Sequence, residues 1–193
     1  MKRFFASILS VAVILVVAIS VTACDKFQGK TFEFAGVDVA YITEINEEGI
    51  VTKYETLPID SYCKDILGIQ DLATRNAKID ELKAKFGVIK QYYKFSRTDE
   101  VRQIREEMDE LTGSKISEVV LLTYALEGNA MQITRSELDE NGCGLQYTER
   151  IEIITSSQLQ KYHWGTTTYE SRFTEEDVTN HTIYRLVVNY MSY

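Results

Sequence analysis

Apolar and polar positions alternate with the period of β-strands in the first part of the chain beyond residue 30. Apolar residues stand at even positions through Phe34 and at odd positions from Val37 to Tyr41. Because successive side chains of a strand point to opposite faces, this change of parity at Ala35-Gly36 predicts a β-bulge or a tight turn. The run Asn46-Glu47-Glu48-Gly49 then predicts a hairpin loop into the next strand.

The middle of the chain has the spacing of helices. Intervals of three and four residues separate Ile79, Leu82, Phe86, Ile89 and Tyr93. A second stripe, ended by Gly113, consists of Val101, Ile104, Met108 and Leu111. Each stripe predicts one apolar helix face, although Gly87 is a possible break in the first. Two helices joined by a few residues predict an antiparallel helical hairpin at about residues 64–112.

The strand period returns after residue 117 and continues to the end of the chain. Segments 119–126, 131–135, 145–153, 159–164, 169–173 and 182–190 are each predicted to be strands, separated by short turns. The fold class predicted is α+β, a mostly antiparallel β meander with the helical hairpin inserted. The meander is either barrel-like or a rolled sheet. No linker divides residues 31–193, which are therefore predicted to form a single domain.

The N-terminus differs from everything that follows it. Residues 4–21 carry no charge, and Lys2 and Arg3 precede them. A basic start, an apolar stretch and small residues before a cleavage point are the features of a secretory signal peptide. The alternative is an uncleaved transmembrane helix, because Phe4–Ala23 is just long enough to span a bilayer.

Val21-Thr22-Ala23-Cys24 resembles the lipobox of bacterial lipoproteins. The resemblance implies cleavage between Ala23 and Cys24 and a diacylglyceryl group on the sulfur of Cys24. Residues 1–23 would be the signal peptide and residues 24–30 a lipidated tether. The implied location is the extracytoplasmic side of the cell membrane. The meander, with its Glu127-Gly128-Asn129 turn, also resembles the lipocalin-like folds of small envelope lipoproteins, although Phe32 stands where that family prefers tryptophan.

The charge of the chain narrows the possible partners. The 21 basic and 29 acidic residues give a net charge of −8, which becomes −10 when Lys2 and Arg3 leave with the signal. This acidic balance excludes the electrostatic footprint of a nucleic-acid-binding protein. It also argues against peripheral binding to an anionic membrane, so the lipid would hold the protein there.

Lipidation of Cys24 leaves two cysteines, Cys63 and Cys143. An even pair in an oxidising compartment predicts a possible disulfide. The alternative is two separate thiols, because the sequence cannot show that the two Cα atoms approach each other.

The sequence contains no motif of a hydrolase, a nucleotide-binding protein or a metalloenzyme, and we expect no catalytic residue, cofactor or metal. Either His163 or His181 could serve a hydrolase as general base, but a solvated or edge histidine is the more common case. The aromatic residues of the predicted strands suggest a ligand site. Those proposed to line a ligand cleft are Tyr124, Tyr147, Tyr162, Trp164 and Tyr184. The alternative is that these side chains only pack on a pleated, half-buried sheet.

These features lead to a functional hypothesis with two alternatives. The protein is expected to be a membrane-anchored, non-enzymatic binding module for an apolar, glycan or peptide ligand. Alternatively, it is a subunit of an envelope assembly that docks a partner through the helical hairpin, or an envelope hydrolase.

Overall fold

The computed structural model of the chain describes residues 26–96, 99–108, 115–138, 140–164 and 172–193. These residues belong to two compact units. Unit 1 comprises the described residues of Met1–Glu33, Gln91–Gln158 and Ser192–Tyr193, and unit 2 comprises those of Phe34–Lys90 and Leu159–Met191. Both units draw on distant stretches of the chain, so no single cut in the sequence separates them.

The described residues form a β-rich α+β fold, as predicted. The strands are β1 (Thr31–Ile45), β2 (Val51–Pro58), β3 (Gln91–Phe95), β4 (Glu100–Met108), β5 (Lys115–Glu127), β6 (Ala130–Leu138), β7 (Gly144–Thr155), β8 (Gln158–Trp164) and β9 (Ile183–Met191). The helices are α1 (Ile59–Ser61), which continues as a π-helical turn (Tyr62–Ile66), α2 (Leu72–Lys85) and α3 (Glu175–Thr179).

Unit 1 is an antiparallel sheet in which the start of β1 is followed by β3, β4, β5, β6 and β7. Alternate residues of these strands bury one face. At one end of that face, four aromatic side chains form a core: Phe27, Phe32, Phe95 and Tyr124. Their rings meet in tilted and edge-to-face contacts with centroids 5.0–5.9 Å apart, the geometry that the ring quadrupole favours.

Unit 2 contains the strand order β2-β1-β9-β8 together with the helices. The predicted change of parity is confirmed, because β1 buries Phe32 before Gly36 and then Val37, Val39 and Tyr41 after it. Gly36 has a φ of +153°, a conformation that a residue with a Cβ rarely adopts. The predicted hairpin loop is also present, because the Asn46 side chain accepts hydrogen bonds from the backbone N–H groups of Glu48 and Ile50.

The first predicted helix is confirmed as α2 over Leu72–Lys85, but its predicted apolar stripe extends too far, because Ile89 lies after the helix and Tyr93 lies on β3. The Asp71 carboxylate caps it by accepting a 2.8 Å hydrogen bond from the backbone N–H of Thr74. Ile79 and Leu82 are its buried residues. The helix ends before Gly87, whose φ of +65° takes the chain out of the helical conformation.

The predicted helical hairpin is wrong, because its second helix is a strand. Residues 100–108 form β4, which pairs with β3 on one side and β5 on the other. Its inward residues are Val101, Gln103 and Arg105, so polar side chains stand where a strand pattern requires apolar ones. Without that alternation, the spacing of Val101 and Ile104 gives the stronger helical signal. Hydrogen bonding to two neighbouring strands overrides the helix propensity of the segment.

Val119 and Leu121 show that β5 is not buried on both faces. The apolar run of β5 is typical of a strand buried on both faces, but these two side chains are exposed while Leu122 and Tyr124 are buried. No helix in the described part of the chain is both long and apolar enough to cross a membrane. The predicted strand at 169–173 and the second helix's end near Gly113 lie largely outside the described residues.

Candidate functional site

Three of the five aromatic residues predicted to line a ligand site lie together in unit 2. Tyr162 and Trp164 are two residues apart on β8, and Tyr184 is at the start of β9. Trp164 meets both tyrosines edge to face, with ring centroids 5.2 Å from Tyr184 and 6.4 Å from Tyr162. Tyr54 of β2 adds a fourth ring, 5.8 Å from that of Tyr184.

Arg185 lies among these four rings. Its guanidinium carbon is 4.1 Å from the centroid of Tyr162, 4.9 Å from that of Tyr54 and 5.0 Å from that of Trp164. One guanidinium nitrogen also donates a 2.8 Å hydrogen bond to the Tyr54 hydroxyl. A cation over several ring faces is stabilised by their quadrupoles, so Arg185 holds the rings in place. We call Tyr54, Tyr162, Trp164, Tyr184 and Arg185 the aromatic–arginine cluster.

The aromatic–arginine cluster is partly open to solvent. Trp164 is 46% exposed and Tyr54 is 42% exposed, whereas Tyr162, Tyr184 and Arg185 are half-buried. The Arg185 Nε atom is buried and has no hydrogen-bond partner among the residues that the structure describes. The arrangement therefore presents fixed ring surface and hydroxyl groups to solvent beside a half-buried cation.

The other two predicted aromatic residues belong to unit 1 and are not part of this cluster. Tyr124 is buried in the aromatic core, with its ring edge to face on Phe95. Packing on the sheet, the alternative to lining a ligand site, therefore accounts for Tyr124. Tyr147 is 52% exposed and lines a cavity.

This cavity has a volume of about 310 Å³ and lies on the inward face of β4 to β7. We call it the polar cavity. Its polar lining side chains are Gln103, Arg105, Arg135, Glu137 and Glu149. Leu122, Ile133 and Tyr147 complete its wall. Strand register accounts for this grouping, because Arg135 pairs with Tyr147 and Ile133 with Glu149 across β6 and β7.

Buried glutamines connect the polar cavity to β3. The Gln103 side chain donates a 3.0 Å hydrogen bond to Gln91, and Gln91 donates a 2.6 Å bond to the Tyr93 hydroxyl. The Tyr93 hydroxyl in turn lies 3.5 Å from a Glu149 carboxylate oxygen. Burying amides is unfavourable unless they are hydrogen-bonded, so this network allows a polar interior at this end of the sheet.

The two histidines have structural contacts in unit 2. His163 Nδ1 lies 3.1 Å from the backbone oxygen of Phe86. The His181 ring packs edge to face on Tyr41 at 5.4 Å, and its backbone oxygen accepts a hydrogen bond from the Tyr62 hydroxyl. Burial raises the pKa of Tyr62 to about 12, so this phenol keeps its proton and acts as the donor at neutral pH.

No disulfide joins Cys63 and Cys143 in the structure, which describes both residues. Cys63 is buried in the π-helical turn of unit 2, and Cys143 is exposed in the turn before β7 of unit 1. The predicted bridge rests on an even number of cysteines, and that count carries no information about where the two side chains lie.

The two cysteines are expected to differ in reactivity. Burial raises the pKa of the Cys63 thiol, which lowers its reactive thiolate fraction. In the native protein we expect N-ethylmaleimide to modify Cys143 within minutes and Cys63 about 100-fold more slowly, because Cys63 requires local opening. Mass spectrometry of the labelled peptides measures both rates. Modification of neither cysteine, even after unfolding without reductant, would instead establish the disulfide.

Sequence reasoning does not find the charged members of either site. Arg185 interrupts an otherwise apolar stretch of β9, and a lone cation in a predicted strand is a usable signal. Gln103 and Arg105 give no such signal, because the spacing in the segment that carries them predicts a helix. Arg135 is recognisable only once its neighbours on β7 are known.

The predicted lipidation and cleavage residues, Ala23 and Cys24, lie outside the described residues. Within the described ranges, no group of three or more histidine, cysteine or carboxylate side chains is placed to hold a metal ion. Comparisons of the chain with protein-family models, with curated proteins and with solved structures gave no match.

Proposed function

We propose that the protein is a lipid-anchored, non-enzymatic binding module that presents the aromatic–arginine cluster to a glycan on the extracytoplasmic side of the membrane. The observation that carries the proposal is the partial exposure of Trp164 and Tyr54 in a cluster held by Arg185. Exposed aromatic surface is unfavourable in water, and exposed clusters of this kind mark interaction sites. Tryptophan, tyrosine and arginine are also the residues that dominate binding energies at interfaces.

A glycan fits the chemistry of this cluster. A sugar ring has an apolar C–H face, which stacks on an aromatic ring, and a rim of hydroxyl groups. Tyrosine hydroxyls and the guanidinium N–H groups supply hydrogen-bond donors next to the exposed rings. Because Arg185 already fixes the ring planes, little side-chain entropy is lost when the ligand binds.

The sole tryptophan of the chain reports on this site, because Trp164 belongs to the cluster. We expect one of three probes, chitohexaose, cellohexaose or maltohexaose, to shift the emission of Trp164 to shorter wavelength. The same probe should also reduce quenching by acrylamide. The physical reason is that a stacked sugar removes water from the indole.

Calorimetry with the same probe then tests the individual side chains. Arg185→Met and Tyr54→Ala should each weaken binding at least about tenfold, which corresponds to about 1.4 kcal/mol. Tyr193→Ala is the matched control, because it removes a tyrosine that is 99% exposed and outside the cluster. Unchanged Trp164 emission and quenching with all three hexasaccharides would contradict a glycan-binding role.

A further inference from the structure

The polar cavity of unit 1 contains polar side chains that the core of a sheet does not require. It extends from Gln103, which is 2% exposed, to Tyr147, which is 52% exposed. Its volume of about 310 Å³ is at the lower end of the range for small-molecule sites. The aromatic core at the other end of the same sheet face shows that these strands can also bury apolar residues.

The contacts between Arg105 and the other residues that the structure describes are long. Its guanidinium nitrogens lie 3.4 Å from the side-chain oxygens of Gln91 and Gln103 and 3.8 Å from a Glu118 carboxylate oxygen. Charge-assisted hydrogen bonds of arginine are normally about 2.7–2.9 Å long. The side chain is therefore positioned by weak contacts and can form short bonds with an anionic group in the cavity. A carboxylate matches its planar fork of donors.

The other charges of the lining indicate that the ligand also carries a positive group. The lining carries two cations, Arg105 and Arg135, and two carboxylates, Glu137 and Glu149. Arg135 forms an ion pair with Glu137, and Glu149 lines the cavity from β7, 3.5 Å from the Tyr93 hydroxyl. A ligand with only a negative charge would place its carboxylate among these glutamates without compensation. A zwitterion matches both signs.

An apolar part of the ligand has a place in the same cavity. Leu122 and Ile133 form its apolar wall, and the ring of Tyr147 lies at the exposed end. Groups of three kinds, cationic, anionic and apolar, therefore converge within one small volume.

We propose that the polar cavity binds a free α-amino acid with an apolar side chain. The ligand carboxylate bonds to Arg105, its ammonium group lies against Glu149, and its side chain packs on Leu122, Ile133 and Tyr147. This activity is additional to glycan binding and uses residues of unit 1 alone.

Ligand analogues test the proposal on the wild-type protein, purified in detergent. Calorimetric titration with L-leucine and L-phenylalanine should give saturable binding by at least one of them. Compared with leucine, 4-methylpentanoate lacks the ammonium group and isoamylamine lacks the carboxylate. If leucine binds, each analogue should bind at least tenfold more weakly than leucine. If phenylalanine is the better ligand, neither analogue should bind. No binding of either amino acid, or equal binding of an analogue lacking one charge, would overturn the proposal.

Variants of two neighbouring arginines localise the binding. Arg105→Met should abolish the measured binding, and Arg105→Lys, which retains the charge but not the planar fork, should weaken it at least tenfold. Arg102→Met is the matched control, because Arg102 is on the same strand but exposed, and it should bind as the wild type does. Wild-type affinity in Arg105→Lys and Arg105→Met would place the amino acid elsewhere and overturn the assignment. Trp164 emission is not used here, so failure of this proposal and failure of glycan binding are separate results.

Discussion

Replacing Phe95 by alanine is expected to lower the free energy of unfolding by about 3–5 kcal/mol. The Phe95 side chain is fully buried in unit 1, and its ring centroid lies 5.7 Å from that of Phe27, 5.6 Å from that of Phe32 and 5.0 Å from that of Tyr124. Alanine would remove a partner from all three rings and leave a cavity that the surrounding strands cannot fill. Because domains are stable by only about 5–15 kcal/mol, this loss is a large share of the total.

Urea denaturation followed by circular dichroism measures this effect. Phe95→Leu keeps most of the apolar volume and should lose less than half as much stability as Phe95→Ala. Tyr193→Ala serves as the control for loss of an aromatic ring from an exposed position, and it should change stability by no more than about 0.5 kcal/mol. A Phe95→Ala variant within about 1 kcal/mol of the wild type, the size of an average substitution, would show that the aromatic core does not stabilise unit 1 as described.

Replacing Cys24 by serine is expected to abolish lipid attachment completely. The proposed thioether requires a sulfur atom, and serine has none. Two acyl chains give stable membrane attachment, because each buried methylene contributes about 0.8 kcal/mol. In cells fed radiolabelled palmitate, the wild-type protein should carry label, and its mass should correspond to a chain that begins at Cys24. The serine variant should be unlabelled and mislocalised.

Cys63→Ser and Cys143→Ser are the matched controls for this experiment. Both remove a thiol from the mature chain, and both variants should remain labelled and bound to the membrane. The contrary result is an unlabelled wild-type protein of full-length mass in the membrane fraction, with the same distribution for Cys24→Ser. That outcome would favour the uncleaved helix Phe4–Ala23 over the lipoprotein.

The cases in which sequence reasoning works share one physical cause. In β1, Phe32 is buried before Gly36 and Val37 and Val39 are buried after it, at positions of the opposite parity, so the local pattern and the final packing agree on each side of Gly36. In α2, the Asp71 cap, the Ile79–Leu82 stripe and Gly87 all lie within one short stretch of chain. Where the information that decides a structure is local, the sequence is sufficient to predict it.

β4 shows why the rest is not predictable. Gln103 and Arg105 face inward because the side-chain amide of Gln91 accepts hydrogen bonds from both and the carboxylate of Glu118 balances the charge of Arg105. Those partners come from neighbouring strands, and without them an inward arginine contradicts the strand pattern. The polar residues that interrupt the strand pattern of this segment, Gln103 and Arg105, line the proposed amino-acid site, and functional sites are where a local rule is expected to fail.

The sequence by itself determined the β-rich α+β class, the presence of a helix around Ile79 and Leu82, and the choice of the C-terminal aromatic residues as candidates for a site, because strand and helix periods are local properties. It also contains the lipobox-like segment, for which cleavage and lipidation stay predictions. Only the tertiary structure decided that Tyr162, Trp164 and Tyr184 surround Arg185 while Tyr124 belongs to a core, and that a polar cavity forms on the same sheet face as that core. The reason is that the side chains that meet across a sheet belong to strands that are distant in the sequence, and a local pattern does not show which strands become neighbours.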